Sequence, residues 1–233
     1  MGVPYVSFTI KDGVAIGVTF NSYTTYGLIL TNQDIGLPKP RTNYITIEGR
    51  DGSLDMSELY DTVFYDNRTL TFTFSTVNSI YDWDELRTKI ANDLHGKTFL
   101  ITIYSDERYQ YEGRCSIDKY QSSKGLGTIT IKCNCYPFKT LPESININFK
   151  LGADTPVIEE SFTISGLPVR IHCVNGGSTG DMAFQIDNGP VEYVGAGSWK
   201  YYSGYSSYFE AGEHTVRVQG TGNARIWFDE KFI

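Results

Sequence analysis

Proline is scarce in this chain, 8 among 233 residues against 23 glycines, and no apolar stretch approaches the roughly 20 residues a helix needs to span a bilayer. Positive charge is short as well. Lys+Arg number 20 against 27 Asp+Glu, a formal net charge of -7. The shortfall is uneven, with 15 basic against 17 acidic residues through Lys150 and 5 against 10 beyond it. Sequence-independent nucleic-acid binding draws on Lys and Arg at phosphates, so this balance makes the chain a poor candidate for it. The opening Met1-Gly-Val-Pro-Tyr5 lacks the basic and apolar regions of a secretory signal, which predicts a chain that starts in the cytosol.

Catalytic signatures are missing too. No phosphate-cradling glycine loop or metal-ligand spacing occurs, and the three histidines, His95, His172 and His214, form no nucleophile–base pattern. Carboxylates are plentiful, so a glycosidase pair stays open on sequence alone, but the reading is a protein with no catalytic residue, no metal and no cofactor. The four cysteines, Cys115, Cys133, Cys135 and Cys173, are expected as reduced thiols. Cys133 and Cys135 stand two apart, which on a strand puts both on one face as buried residues. Asp82 and Asp84 complement a helix dipole better than they make a metal pair, and His95, at a helix end, is read the same way. Asn67-Arg-Thr69 fits the glycosylation acceptor pattern, of no use to a chain that is not exported.

What is present favours strands. Aromatics reach 14%, with 17 Tyr and 13 Phe. Strands are predicted over Val3–Ile10, Val14–Phe20, Asn43–Ile47, Thr69–Ser75, Phe99–Tyr104, Tyr109–Ile117 and Gly127–Cys135, with Lys11-Asp-Gly13 as a hairpin turn. Thr69-Leu-Thr-Phe-Thr-Phe-Ser75 alternates, so one face should be buried. Between Ser79 and His95 the period changes: Trp83, Leu86, Ile90 and Leu94 recur at three- and four-residue steps, with acids in the first turn and Gly96 after the end, predicting an amphipathic helix over 79–95. Two prolines in Tyr136-Pro-Phe-Lys-Thr-Leu-Pro142 mark the end of a strand and of a domain. Short strands at Phe162–Cys173, Met182–Ile186, Val191–Val194, Tyr208–Phe209, Glu213–Gln219 and Ala224–Phe228 then predict a β-sandwich. The expected organisation is mainly β: a sandwich domain with one helix over 1–138, a linker over 139–160 and a second sandwich over 161–233.

Two stretches carry functional interest. Gly195 to Phe209 sets Trp199, Tyr201, Tyr202, Tyr205 and Tyr208 among small residues, suited to folding back onto the core, to a protein contact or to stacking on a sugar. Tyr44-Ile-Thr-Ile-Glu-Gly-Arg-Asp-Gly-Ser-Leu-Asp-Met-Ser-Glu58 contains Ile47-Glu-Gly-Arg50, a sequence also used to cleave fusion tags, but it follows an ordinary strand rather than a tag-like leader. Gly49, Asp51 and Gly52 predict a tight turn there, and Arg50 is placed to pair within the turn or across a subunit boundary.

In order, the Pro-rich "TNQDIGLPKPRTN", a strand, the Gly49-Arg-Asp-Gly-Ser-Leu-Asp55 turn, the alternating Thr69–Phe74 strand and the helix resemble the N-terminal domain of siphophage distal tail proteins (Dit) over about residues 15 to 138. The C-terminal sandwich resembles their galectin-like or carbohydrate-module-like domain. The resemblance implies a structural virion protein of the phage tail tip, assembled in the host cytoplasm as a hexameric ring. Such a ring joins the tail tube protein to a Tal-like tail-tip protein, with a receptor-binding protein or cell-surface glycan as further partners. DNA passes through its central channel without specific binding. In a ring, the segment from Tyr23 to Asn43, with Tyr23, Tyr26, Leu28, Ile29 and Leu30, either lies on a neighbouring subunit or caps its own domain. The alternative function is a lectin-like module for host glycans.

Overall fold

The computed structural model describes residues 2–12, 15–57, 63–76, 83–123, 126–177, 180–204 and 208–233. The chain divides into two compact units, Met1–Lys139 with Ile233, and Thr140–Phe232.

The first unit contains β1 (Val6–Asp12), β2 (Ala15–Asn21), α1 (Ser22–Tyr26), β3 (Leu28–Ile35), β4 (Tyr44–Thr46), β5 (Ser53–Asp55), β6 (Arg68–Thr76), α2 (Trp83–Leu94), β7 (Thr98–Ile103), β8 (Gln110–Ser123) and β9 (Leu126–Thr140). All but β4 and β5 among these strands lie in one sheet of order β2-β1-β7-β8-β9-β6-β3. At a strand spacing near 4.8 Å, a flat sheet would hold β1 and β6 about 19 Å apart. Instead the Phe8 and Phe72 rings meet edge-to-face at 6.5 Å, and the Leu30 amide donates to the Pro4 carbonyl at 3.2 Å. The sheet therefore curls over its own core, which is how this unit meets the mainly β expectation. The alternation read in Thr69–Ser75 is realised: Leu70, Phe72 and Phe74 are fully buried between partly or fully exposed Thr residues.

Helix α2 closes this core with Leu86, Ile90 and Leu94, one residue per turn, and carries Asp84 and Glu85 in its first turn. The predicted helix over 79–95 is described from Trp83 onward; residues 79–82, Asp82 included, lie outside the described residues. Gly127 lets Trp83 settle on β9, since a Cβ there would meet the indole at 1.9 Å. Beyond the helix, Gly96 takes a φ of 78° and its amide donates to the Cys115 carbonyl. His95, at the end of the helix, accepts the Ile117 amide through its Nδ1 at 3.1 Å. Cys115, Cys133 and Cys135 are free and buried, and burial pushes the Cys135 thiol up to about 12. All three are core side chains, and Cys133 and Cys135 have no thiolate character.

Strand β9 runs through Pro137 to Thr140, so the prolines do not end it as predicted. Its pairing with β6 stops at Arg68↔Cys135, and Pro137 lies past that ladder, where a missing N–H removes no bond from it.

The second unit is built from β10 (Ile145–Leu151), β11 (Val157–Ile164), β12 (His172–Asn175), β13 (Met182–Ile186), β14 (Glu192–Val194), β15 (Trp199–Tyr201), β16 (Gly212–Gln219) and β17 (Gly222–Phe228). Two four-stranded antiparallel sheets, β10-β17-β12-β15 and β11-β16-β13-β14, share a core that includes Phe149, Cys173, Ile226 and Phe228 from one and Phe162, Phe184, Val216 and Val218 from the other. The Phe162 and Phe228 rings meet at 5.6 Å across it. The segment expected as a linker over 139–160 thus carries β10 and the start of β11, both paired into this sandwich. The single strand expected over Phe162–Cys173 is two, one in each sheet. In the turn between β13 and β14, Asp187 takes a φ of 52° and its carboxylate accepts from the Thr215 amide at 2.9 Å.

Candidate functional site

Two surfaces stand out, one in each unit. The first is a two-stranded ribbon over residues 39–66, of which 58–62 are not described. At its base the Asp66 amide donates to the Lys39 carbonyl at 2.8 Å, the Arg41 amide donates to Phe64 at 2.7 Å, and an exposed Arg41–Asp66 ion pair spans 2.7 Å. Farther out, β4 pairs with β5 in the register Tyr44↔Asp55, Ile45↔Leu54 and Thr46↔Ser53. Asp55 accepts from the Ser57 hydroxyl and amide, which holds its carboxyl below the usual range.

The tip carries the Gly-Arg-Asp-Gly turn. Gly49 and Gly52 take φ of 79° and 76°, and an added Cβ would meet nothing within 4 Å at either, so backbone conformation rather than space demands glycine. Arg50 and Asp51 are exposed, and no ion pair involves Arg50 among the described residues. Every residue from 41 to 55 is exposed. Yet Ile45 and Leu54 stand directly opposite on one face with Ile47 two positions on, and Leu37, Tyr44 and Phe64 are exposed by 75%, 59% and 48%. The ribbon is an apolar surface with no core of its own.

Of the two placements open to the segment Tyr23–Asn43, its first part lies on its own unit. Tyr26 stacks on Phe20 at 6.3 Å and donates to Asp93 Oδ2 at 3.0 Å, and burial pushes its phenol well above the usual range. Leu28 is buried, Leu30 packs against the same core, and β3 from Leu28 to Ile35, including Ile29, pairs along β6. Tyr26 and Leu28 are therefore core residues of their own subunit, while Tyr23 stays exposed on α1, which Asn21 caps through Oδ1.

The second surface is the outer face of sheet β10-β17-β12-β15. Register places Trp227, His172 and Tyr201 opposite one another on three neighbouring strands. His172 stacks on Trp227 at 3.6 Å and packs against Tyr201 at 4.1 Å, and Trp199 meets Tyr201 edge-to-face at 5.7 Å. The Arg170 guanidinium lies 3.8 Å over the Tyr201 ring and 6.0 Å from that of Tyr208. Trp199, Tyr201 and Tyr208 are exposed by 58%, 36% and 50%. His172 is buried within the stack, its Nδ1 finds no hydrogen-bond partner, and burial, reinforced by Arg170 and opposed by Asp229, lowers its pKa. Of the five aromatics singled out in sequence, Tyr202 instead turns inward and donates to the Pro190 carbonyl at 2.6 Å, and Tyr205 lies outside the described residues. Arg170, His172, Arg225 and Trp227 escaped sequence reading, since only strand register brings them beside the Trp199–Tyr201 pair.

No protein-family model matches the chain, and no curated protein matches it. Solved structures do match in fold. The Dit protein of phage SPP1, described as a paradigm of the hub adsorption apparatus in phages infecting Gram-positive hosts, aligns at a TM-score of 0.62 with 16% identity, over 97% of this chain and 99% of that one. The phage p2 baseplate in its activated conformation with strontium aligns at 0.47 with 11% identity, over the full length of both. The likeness to SPP1 Dit establishes that this chain has the fold expected from its sequence, through both units.

Proposed function

We propose that this protein is a structural hub component of a phage tail tip, assembling as a hexameric ring that joins the tail tube to the tail-tip and receptor-binding apparatus. The observation that carries the reading is the apolar ribbon over residues 39–66 on a chain that shares the SPP1 Dit fold from end to end. A ribbon whose Ile45, Leu54 and Tyr44 are covered by nothing among the described residues of their own subunit is suited to lie on the next copy, and a head-to-tail contact of that kind closes into a ring. The subunit-contact residues are then the ribbon face, with Arg50 at its tip reaching an acidic neighbour, and Tyr23 as a further exposed candidate. The role asks for no catalysis. DNA passes through the central opening without being held, in keeping with the acidic balance of the chain.

Size-exclusion chromatography with light scattering, followed by electron microscopy, tests this directly. Six-fold rings with a central hole are expected for the intact protein, alone or with tube protein. Monomers under both conditions, at high protein concentration, would sink the proposal.

A further inference from the structure

The aromatic face of the second unit has a chemistry that points to a ligand of its own. In a unit with 5 basic and 10 acidic residues beyond Lys150, Arg170 and Arg225 both stand exposed on or beside this one sheet face. Arg225 lies opposite Val174, in the row next to the Trp227–His172–Tyr201 line, and Asn148 lies opposite Arg225 on β10. Rings and polar donors therefore alternate across a surface made of strand positions. Local positive charge on an acidic unit is a device for selecting anions over the bulk of uncharged or basic partners.

The shape narrows the class further. Trp, Tyr and Arg also mark protein hot spots, but those are packed into desolvated pockets, whereas Trp199, Tyr201, Arg170 and Arg225 all stand exposed on this face. Small-molecule sites are concave, whereas this is a sheet face two strand spacings wide, about 10 Å, with rings along it. A flat, extended ligand with alternating apolar faces and polar edges fits such a surface. We propose that the outer face of sheet β10-β17-β12-β15 binds an acidic polysaccharide, its sugar rings packing on Tyr201, Trp199 and Trp227 and its carboxylate or phosphate groups pairing with Arg170 and Arg225. The Arg170 guanidinium, 3.8 Å over the Tyr201 ring, carries N–H donors that can pair with an oxyanion while the cation keeps its contact with the ring.

The intact protein provides its own reporter, because Trp199 and Trp227 are two of its three tryptophans and both lie on the face. Titration with polygalacturonate, a uronic-acid polymer, and with a sugar-phosphate polymer is expected to change tryptophan emission saturably; which of the two binds more tightly identifies the anion. Neutral dextran should bind at least about 10-fold more weakly. Tyr201→Ala and Arg225→Gln are each expected to weaken binding about 10-fold, with melting temperature and ring assembly unchanged. Rings that form normally but bind neither polymer would overturn the site while leaving the hub reading intact. Equal binding of polyglutamate, which has the charge without the sugar, would overturn it as well, as would capture of this face by a tail protein that Tyr201→Ala abolishes while both polymers stay unbound.

Discussion

Strands β4 and β6 belong to the same unit and are drawn from the same residue types, β-branched and aromatic, yet they end in opposite environments. In β6 the side chains at Leu70, Phe72 and Phe74 are fully buried, whereas Tyr44, Ile45 and Thr46 of β4 are all exposed. The difference is one of neighbours. β6 lies between β9 and β3 in a curled sheet, so its apolar face meets Phe8 across the core. Among the described residues β4 pairs only with β5, and a two-stranded ribbon encloses nothing. An apolar strand that cannot bury its face at home is either an aggregation hazard or one half of an interface, and charged and turn residues at the tip favour the second.

The comparison breaks most visibly under truncation. Phe72→Ala is expected to destabilise the protein by about 3–5 kcal/mol, while Ile45→Ala should change monomer stability by about 0.5 kcal/mol or less. Denaturant midpoints at low protein concentration measure both. A large loss from Ile45→Ala would show that the ribbon folds back on its own unit. The same Ile45→Ala, combined with Leu54→Ala, is expected to shift the ring–monomer equilibrium toward monomer by about 10-fold or more in sedimentation experiments.

Smaller effects sharpen the contrast. Tyr26→Phe removes the bond to Asp93 and should cost about 1 kcal/mol, whereas Tyr44→Phe should cost nothing measurable in the monomer. Gly49→Ala is expected to raise the local energy of the tip by about 1 kcal/mol, seen as faster amide exchange in the ribbon with the unit's main unfolding transition unmoved. The second unit adds a shallow pH dependence. Because burial lowers the His172 pKa, the unfolded chain binds the proton more readily, so that stability is complete above about pH 6.5 and declines as pH falls toward the lower folded value. His172→Phe should flatten that slope in a series of melting temperatures against pH.

Much of the fold was legible in the sequence because local pattern and burial agreed. Thr69–Ser75 alternates and is buried on alternate residues; Leu86, Ile90 and Leu94 recur at helical spacing and face the core. Legibility failed where a decision depended on a distant partner. Pro137 reads as a strand end, but β9 outlasts its partner β6 and can hold a proline. Whether the segment from Tyr23 lies on a neighbour or on its own unit stays open in the sequence because nothing local says that β6, forty residues on, will pair with Leu28 and the rest of β3. The candidate sites divide the same way. The Gly49-Arg-Asp-Gly52 turn was visible from its residue types, which need positive φ wherever they fold. The Trp227–His172–Tyr201 row was invisible, since its members are separated by up to 55 positions and meet only through register.

By itself, then, the sequence determined the β class, the helix, the tip turn and the resemblance to distal tail proteins, all properties carried by periodicity or by residues a few positions apart. Tertiary structure alone decided which apolar residues are core and which await a neighbour, and which rings share a face. Hydrophobicity states how much a side chain gains from leaving water, and only the arrangement of strands settles whether anything is there to receive it.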